Sequence, residues 1–396
     1  MQIEPPEKPG INPWLICIVL GVLALLLYPV LSPEHSEKPP PVESLPSPSE
    51  PLAQSVQESF QSDSIERFRP IEEPANGYLS SSVCSECHEK EHASWHASYH
   101  RTMTQLASPE TVLGNFDNQL FYLPEGGTIR LGKTGDEHWV EITDHPKLIQ
   151  TANGNTLRSP IVLMTGSHHM QVYWFAIGVG RSLGILPFVH LKGEERWIPR
   201  SAAFLQPPHS SSNLEWGRWN NDCSACHTTD PRALWDRETR LHDTKVSEFG
   251  IACEACHGPA QAHVSFQRDR QNLAGANLPD TSDPIVNPST LDHRKSSQVC
   301  GACHVAHQPV DPTGKFTNYI PGTDYDKARR PLQVTEEFMN RYLGLADATN
   351  KTAAREILLE DARSIFWPDG TVRIGGREYN GLLESACHTK GEMSCL

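Results

Sequence analysis

The chain has 396 residues, enough for two or three domains, and is moderately acidic, with 34 Lys and Arg against 48 Asp and Glu. This balance argues against nucleic-acid binding, which requires a concentrated basic surface. Only 38% of the residues are apolar, a low fraction for this length. We therefore expect a group other than side chains to fill part of the core.

The amino-terminal part predicts an anchor and a spacer. Residues 14–31 form an uncharged apolar run about long enough to cross a bilayer. A cleaved secretory signal is the alternative, but no small-x-small cleavage site follows the run. We therefore predict a transmembrane signal anchor at residues 1–32. Residues 33–77 are rich in Pro, Ser and Glu and predict a disordered spacer, with an ordered loop as the alternative.

The folded region is predicted to span residues 78–396. It opens with a helix expected from Cys87 to Leu106. Within residues 115–200, alternating apolar and polar residues are separated by glycine turns, which indicates a β-rich insertion. Residues 335–361 are predicted to be helical.

Eight of the eleven cysteines form four Cys-x-x-Cys-His motifs. In this pattern the two thiols form thioether bonds to a porphyrin, and the histidine becomes an axial ligand of its iron. Zinc would need four-coordinate sites and no histidine after every pair, and a dithiol redox motif would occur once, in a βαβ unit. We therefore predict four covalent c-type haems. The motifs are Cys84-Ser-Glu-Cys87-His88, Cys223-Ser-Ala-Cys226-His227, Cys253-Glu-Ala-Cys256-His257 and Cys300-Gly-Ala-Cys303-His304.

Four porphyrins are large hydrophobic bodies, and they account for the low apolar fraction. We therefore predict a multihaem cytochrome c fold of mostly short α-helices and irregular loops packed around the haems. Each of the last three motifs is expected to open a short helix, and their close spacing indicates neighbouring haems. Haem attachment to this motif occurs outside the cytoplasm. The predicted localisation is thus the cell membrane, with one amino-terminal span and the haem domain on the periplasmic or extracytoplasmic side.

Several segments resemble the cytochrome c554-related multihaem family, whose members are often fused to tetratricopeptide repeats. The resemblance covers most of residues 78–396. It is carried by residues 84–100 (CSECHEKEHASWHASYH), 166–173 (GSHHMQVY), 219–229 (WNNDCSACHTT) and 253–259 (CEACHGP).

The resemblance implies which histidines serve as distal ligands of the irons. It favours His100, His263, and either His168 or His169, of which His169 is preferred. For the fourth haem, His293 and His307 are weaker candidates.

The carboxyl-terminal residues 385–396 resemble the approach to another haem motif and stop shortly after its first cysteine, Cys395. We interpret this as a truncated chain, in which a fifth haem is possible if the sequence continues. The alternative is a natural terminus with Cys387 and Cys395 free or disulfide-linked.

Three functions are compatible with four haems. The leading one is electron transfer between a membrane donor and an exported redox partner. The second is an oxidoreductase in which one five-coordinate haem acts on a small nitrogen or sulfur compound. The third is an assembly scaffold in which the haems fill the core. Haem propionates add to the acidic charge, so a basic redox partner is expected.

Overall fold

The computed structural model describes residues 65–145, 156–205, 217–272, 282–308, 310, 317–335, 363–367 and 369–396. The chain divides into two units, Met1–Ser49 and Glu50–Leu396, and every described residue lies in the second. The predicted anchor at residues 1–32, most of the predicted spacer, and the helix predicted for residues 335–361 (Thr335 excepted) lie outside the described ranges.

The predicted localisation in the cell membrane is corrected by the structure. None of the helices described from residue 65 onward is long and apolar enough to cross a bilayer. Residues 14–31, from which the span was predicted, lie outside the described ranges.

An antiparallel sheet of eight strands is the largest element of the fold. Seven strands follow one another in chain order, and the first strand pairs with the fifth. Register shifts between Ile161 and Leu163 and between Val172 and Trp174 mark irregularities of the kind that bend a sheet. The strands are β1 Thr104–Leu106, β2 Gln119–Tyr122, β3 Thr128–Thr134, β4 Glu137–Thr143, β5 Thr156–Thr165, β6 Met170–Ala176, β7 Leu183–Leu191 and β8 Arg196–Pro199.

The central strands β5, β6 and β7 are buried on both faces, which explains their nearly continuous apolar sequences. Along β6, Tyr173 and Phe175 belong to one core cluster with residues of β3 and β4. Val172, Trp174 and Ala176 belong to a second cluster, which also contains Trp219 of the second motif region. The second face of the sheet therefore packs directly against the part of the chain that carries the motifs.

The helices are short and lie mostly around the four motifs. Helix α7 begins where the Asp292 side chain accepts hydrogen bonds from the backbone N–H groups of Arg294 and Lys295. Helix α5 ends at Gly258, whose φ of 80° suits glycine. The helices are α1 Ser81–Ser85, α2 Glu89–His96, α3 Arg200–Ala203, α4 Ser224–His227, α5 Cys253–His257, α6 Gln261–Asn272, α7 His293–Gly301, α8 Glu378–Glu384 and α9 Ala386–Thr389.

Shorter pieces complete the described fold. There are 3₁₀ turns at Ile65–Phe68, Pro288–Thr290 and Tyr325–Lys327, and a π-helical turn at Trp219–Cys223. Two-residue strands pair Ile71–Glu72 with Lys245–Val246, Thr228–Thr229 with Glu248–Phe249, Trp235–Asp236 with Leu241–His242, and His307–Gln308 with Arg330–Pro331.

The predicted fold class is wrong in its emphasis on helices. The eight-stranded sheet is the largest ordered element, and the described helices are mostly one or two turns long. The helix predicted from Cys87 to Leu106 covers only α2, because the chain turns after His96 and its residues Thr104–Leu106 pair with β5. Pairing with a buried strand outweighs the helical pattern of the local sequence.

The fold also begins earlier than the predicted boundary at Tyr78. Phe68 is buried in the second core cluster, and Ile71–Glu72 pairs in parallel with Lys245–Val246. Residues 65–77 thus belong to the folded unit.

Candidate functional site

The four motifs occupy different positions relative to their helices. The first motif runs from α1 to the amino terminus of α2, and the third coincides with α5. The second follows the π-helical turn into α4, and the fourth lies at the carboxyl end of α7. The expectation that each of the last three motifs opens a helix is therefore correct for the second and third, and wrong for the fourth.

A buried carboxyl group connects the first and third motif regions. Glu254, between the cysteines of the third motif, is 1% exposed. Its carboxylate accepts hydrogen bonds from the backbone N–H groups of Leu79 (2.8 and 2.9 Å) and Ala260 (2.8 Å). Glu248 accepts a bond from the backbone N–H of Ser81 at 2.8 Å. Burial raises the pKa of Glu254 to about 7.

The fourth motif is held by the segment that follows it. The Tyr325 hydroxyl donates to the carbonyl oxygen of Gly301 at 2.8 Å, and Nε of Arg329 donates to that of Ala302 at 2.8 Å. Gly301 and Ala302 are the two residues between the cysteines of this motif. Both peptide groups are therefore fixed by side chains that lie four residues apart in the chain.

Cysteines of different motifs lie in contact at two places. The Cys84 thiol shares a hydrogen bond with Cys253, and the Cys226 thiol shares one with Cys303. Cys226 Sγ also lies 3.9 Å from the carbonyl oxygen of Ala302. The first motif thus adjoins the third, and the second adjoins the fourth. We call these groups the first–third pair and the second–fourth pair.

Two pairs of histidine rings have the spacing expected for opposite ligands of one iron. The ring centroids of His88 and His263 lie 6.3 Å apart with an interplanar angle of 27°. Those of His100 and His304 also lie 6.3 Å apart, at 86°. Metal–imidazole bonds of about 2 Å place the centroids of two opposite imidazoles about 6 Å apart. The residues therefore fit a six-coordinate haem iron at the first and fourth motifs.

Two of these histidines, and His257 of the third motif, are oriented by a hydrogen bond at Nδ1. His263 pairs with Asp283 at 2.7 Å, His304 with Glu378 at 2.9 Å, and His257 with the carbonyl oxygen of Val286 at 2.8 Å. Ligating histidines typically use one ring nitrogen in this way and present the other to the metal. Nothing in the sequence indicated Asp283 or Glu378, because both reach the site only through the tertiary fold.

His227 of the second motif is set apart by its burial. Burial, together with Arg377 and His304, lowers its pKa to about 4, so the ring is neutral, as a metal ligand must be. Its Nδ1 atom is buried and has no hydrogen-bond partner among the residues that the structure describes.

The other candidate histidines are less well placed for ligation. His168 and His169 lie in the turn between β5 and β6, where His168 stacks on Tyr99 at 4.2 Å and on His169 at 3.7 Å. The rings of His293 and His388 lie 5.0 Å apart at 69°, too close to bind one iron from opposite sides. For the fourth motif, the structure places His100, rather than His293, at the required spacing.

Part of the chain is similar to a known family. Residues 191–258, which include the second and third motifs, match the family described as cytochrome c554 and c-prime. Over these residues the match confirms the resemblance seen in the sequence. It supports a c-type cytochrome with covalently bound haem c.

Among solved structures, the chain is similar to outer cell wall cytochrome OcwA, with 17% sequence identity and a TM-score of 0.47. The similarity covers 78% of this chain and 52% of OcwA, so the chain spans about half the length of that protein. No curated protein matches the chain.

Proposed function

We propose that this cytochrome carries four c-type haems and relays electrons between two redox protein partners. The haems are attached at Cys84 and Cys87, Cys223 and Cys226, Cys253 and Cys256, and Cys300 and Cys303. The observation that carries the proposal is the pair of 6.3 Å histidine contacts, His88 with His263 and His100 with His304. An iron bound on both sides by imidazole passes electrons and has no open position for a substrate.

The 6.3 Å ring spacings support an assignment of ligands within this proposal. His88 and His263 would hold the iron of the first haem, and His304 and His100 that of the fourth. His227 and His257 would be the motif ligands of the second and third haems. His168 and His169 remain candidates for a distal ligand, with His169 preferred.

Bound haem supplies a one-electron iron couple. The protein keeps the ligands in place during the change of charge. Asp283 and Glu378 hold the imidazoles of His263 and His304 through Nδ1. Tyr325 and Arg329 fix the peptide groups between the cysteines of the fourth motif. The contacts between cysteines of different motifs bring the attachment points of neighbouring haems together, which favours rapid transfer between them.

The proposal is tested with the purified protein by two measurements. A pyridine haemochrome assay with a protein determination gives the number of haems, and low-temperature EPR gives their spin state. We expect about four haems, with the first and fourth low-spin. A ratio near two, or high-spin signals that account for most of the iron, would contradict the proposal.

A second candidate function is an oxidoreductase acting on a small nitrogen or sulfur compound. It is favoured by a cavity of about 220 Å³ lined by His96, Tyr99 and Lys192, next to the turn that carries His168 and His169. These side chains can donate hydrogen bonds to a small anion. A high-spin EPR signal that shifts on addition of nitrite, hydroxylamine or sulfite would favour this function over a pure carrier.

A further inference from the structure

A buried positive charge lies against the second–fourth pair. Arg329 is 2% exposed. Its guanidinium donates to the carbonyl oxygens of Ala302 (2.8 Å), Thr317 (2.6 Å) and Ala328 (2.9 Å). The carbonyl of Ala302 is the same one that Cys226 Sγ approaches at 3.9 Å. The guanidinium of Arg329 therefore lies next to the second motif at Cys226 and next to the fourth motif at Ala302.

The buried charge at the first–third pair has the opposite sign. Glu254 lies inside the third motif and is bound by three hydrogen bonds from the backbone N–H groups of Leu79 and Ala260. Glu248 is bound by the backbone N–H of Ser81, three residues before Cys84. Burial outweighs these bonds and raises the pKa of Glu254 to about 7, so its carboxyl group is mostly charged at pH 8. The carboxylate beside His304 of the fourth motif, Glu378, is 62% exposed and is screened by solvent.

We propose that these buried charges set the direction of electron transfer among the four haems. Arg329 makes the second–fourth pair the high-potential end, and Glu254 makes the first–third pair the low-potential end. The physical reason is that a ferric haem carries one more positive charge than a ferrous haem. A nearby cation therefore favours the reduced state, and a nearby anion favours the oxidised state. The inference rests on the proposed electron-carrier function.

The electron balance fixes the class of partner at each end. Each transfer oxidises one iron of the first–third pair by one electron and reduces one iron of the second–fourth pair by one electron. A reduced redox protein then returns one electron to the iron of the first–third pair. An oxidised redox protein accepts one electron from the iron of the second–fourth pair. The donor is thus expected near Glu248 and Glu254, and the acceptor near Arg329.

The test is a potentiometric titration of the haem-loaded full chain at pH 8, followed by visible absorption and EPR. The imidazole planes of His88 and His263 are nearly parallel, and those of His100 and His304 are nearly perpendicular. Low-spin haems with these two arrangements have different EPR signals, so the first and fourth haems can be followed separately.

In Arg329→Gln we expect the reduced-to-oxidised ratio of the fourth haem at a fixed potential to fall about tenfold, which is about 59 mV for a one-electron couple. In Glu254→Gln the potential of a haem of the first–third pair should rise. Arg329→Lys keeps the charge and should restore most of the lost potential.

Arg130→Gln and Glu141→Gln are the matched controls. These residues form an ion pair (3.7 Å) on neighbouring strands of the sheet, and their variants should leave all potentials unchanged. The inference is overturned if Arg329→Gln and Glu254→Gln leave the potentials unchanged, or if Arg329→Lys lowers the potential as much as Arg329→Gln. The haem content and spin state of the unmodified protein are measured first. They test the proposed function independently of the potentials.

Discussion

At the scale of single residues, His100 carries the strongest prediction. It lies just beyond α2, and its ring faces that of His304 at 6.3 Å. Replacing it with alanine removes one axial nitrogen, so the fourth haem should change from low-spin to high-spin. EPR and the visible spectrum of the oxidised protein measure this change.

The matched control for this variant is His96→Ala. His96 lies on the same segment, but its ring contacts His92 and Trp95. The His96→Ala spectrum should equal that of the unmodified protein. An unchanged low-spin spectrum in His100→Ala would remove His100 from the ligand set.

The motif residues could be predicted from the sequence, because thioether attachment requires two cysteines and a histidine within five consecutive positions. Which histidine faces which motif could not be predicted, since the two rings of each pair come from different elements. The resemblance to the family named His100 and His263 but did not give the rings that they face, which are those of His304 and His88. Asp283 has no sequence signal at all, because it contacts His263 only after α6 and residues 282–287 have folded together.

A second residue-scale prediction concerns His242, which is 4% exposed and bonded to Ser182 Oγ (2.9 Å) and Asn221 Oδ1 (3.2 Å). Burial lowers its pKa below the ordinary value. The unfolded chain therefore binds the proton more readily, and the stability from neutral His242 is present above about pH 6.5 and is lost as the pH falls below it.

In His242→Gln this titration is absent. The fall in the free energy of unfolding between pH 7 and pH 5, measured by guanidinium titration at each pH, should be smaller than in the unmodified protein. His96→Ala again serves as the control, because that ring is exposed. An equal fall in all three proteins would contradict the assignment.

At the scale of elements, the β-sheet was predicted in part. Alternation and glycine turns indicated strands within residues 115–200, and β2 to β8 lie there. The extent of the sheet was underestimated because β1 is a three-residue strand next to a helical pattern. The central strands were not recognised as buried on both faces, since a continuous apolar run does not show what packs against each face.

Trp174 of β6 tests this two-sided packing. It is 1% exposed, lies in the second core cluster, and donates from Nε1 to Thr165 Oγ1 at 3.0 Å. Trp174→Ala should lower the free energy of unfolding by about 3–5 kcal/mol, because it leaves a large cavity between the sheet and the motif region.

Tyr122→Ala is the control for this variant, since Tyr122 is 77% exposed on β2 and should cost little on replacement. Guanidinium titration followed by circular dichroism measures both variants. Equal stability of the two would show that the second face of the sheet does not support the motif region.

At the scale of the whole molecule, sequence spacing predicted part of the arrangement of the motifs. The last three motifs are close in sequence and were expected to adjoin one another, and Cys226 does contact Cys303. The contact of Cys84 with Cys253 was not expected, because a long β-sheet separates the first two motifs along the chain. Distance along the chain therefore does not measure the distance between motifs that a sheet separates.

The net charge of −14 also acts on the whole molecule. Cationic reductants should be attracted and anionic ones repelled, and salt should weaken both effects as the Debye length falls from about 30 Å at 0.01 M to about 8 Å at 0.15 M. Stopped-flow reduction by a small cationic complex should therefore slow several-fold over this range, while reduction by an anionic one should accelerate. An uncharged reductant should show no change. If the cationic and anionic reagents respond alike, electrons enter at a surface that is not acidic, and a basic partner is no longer expected.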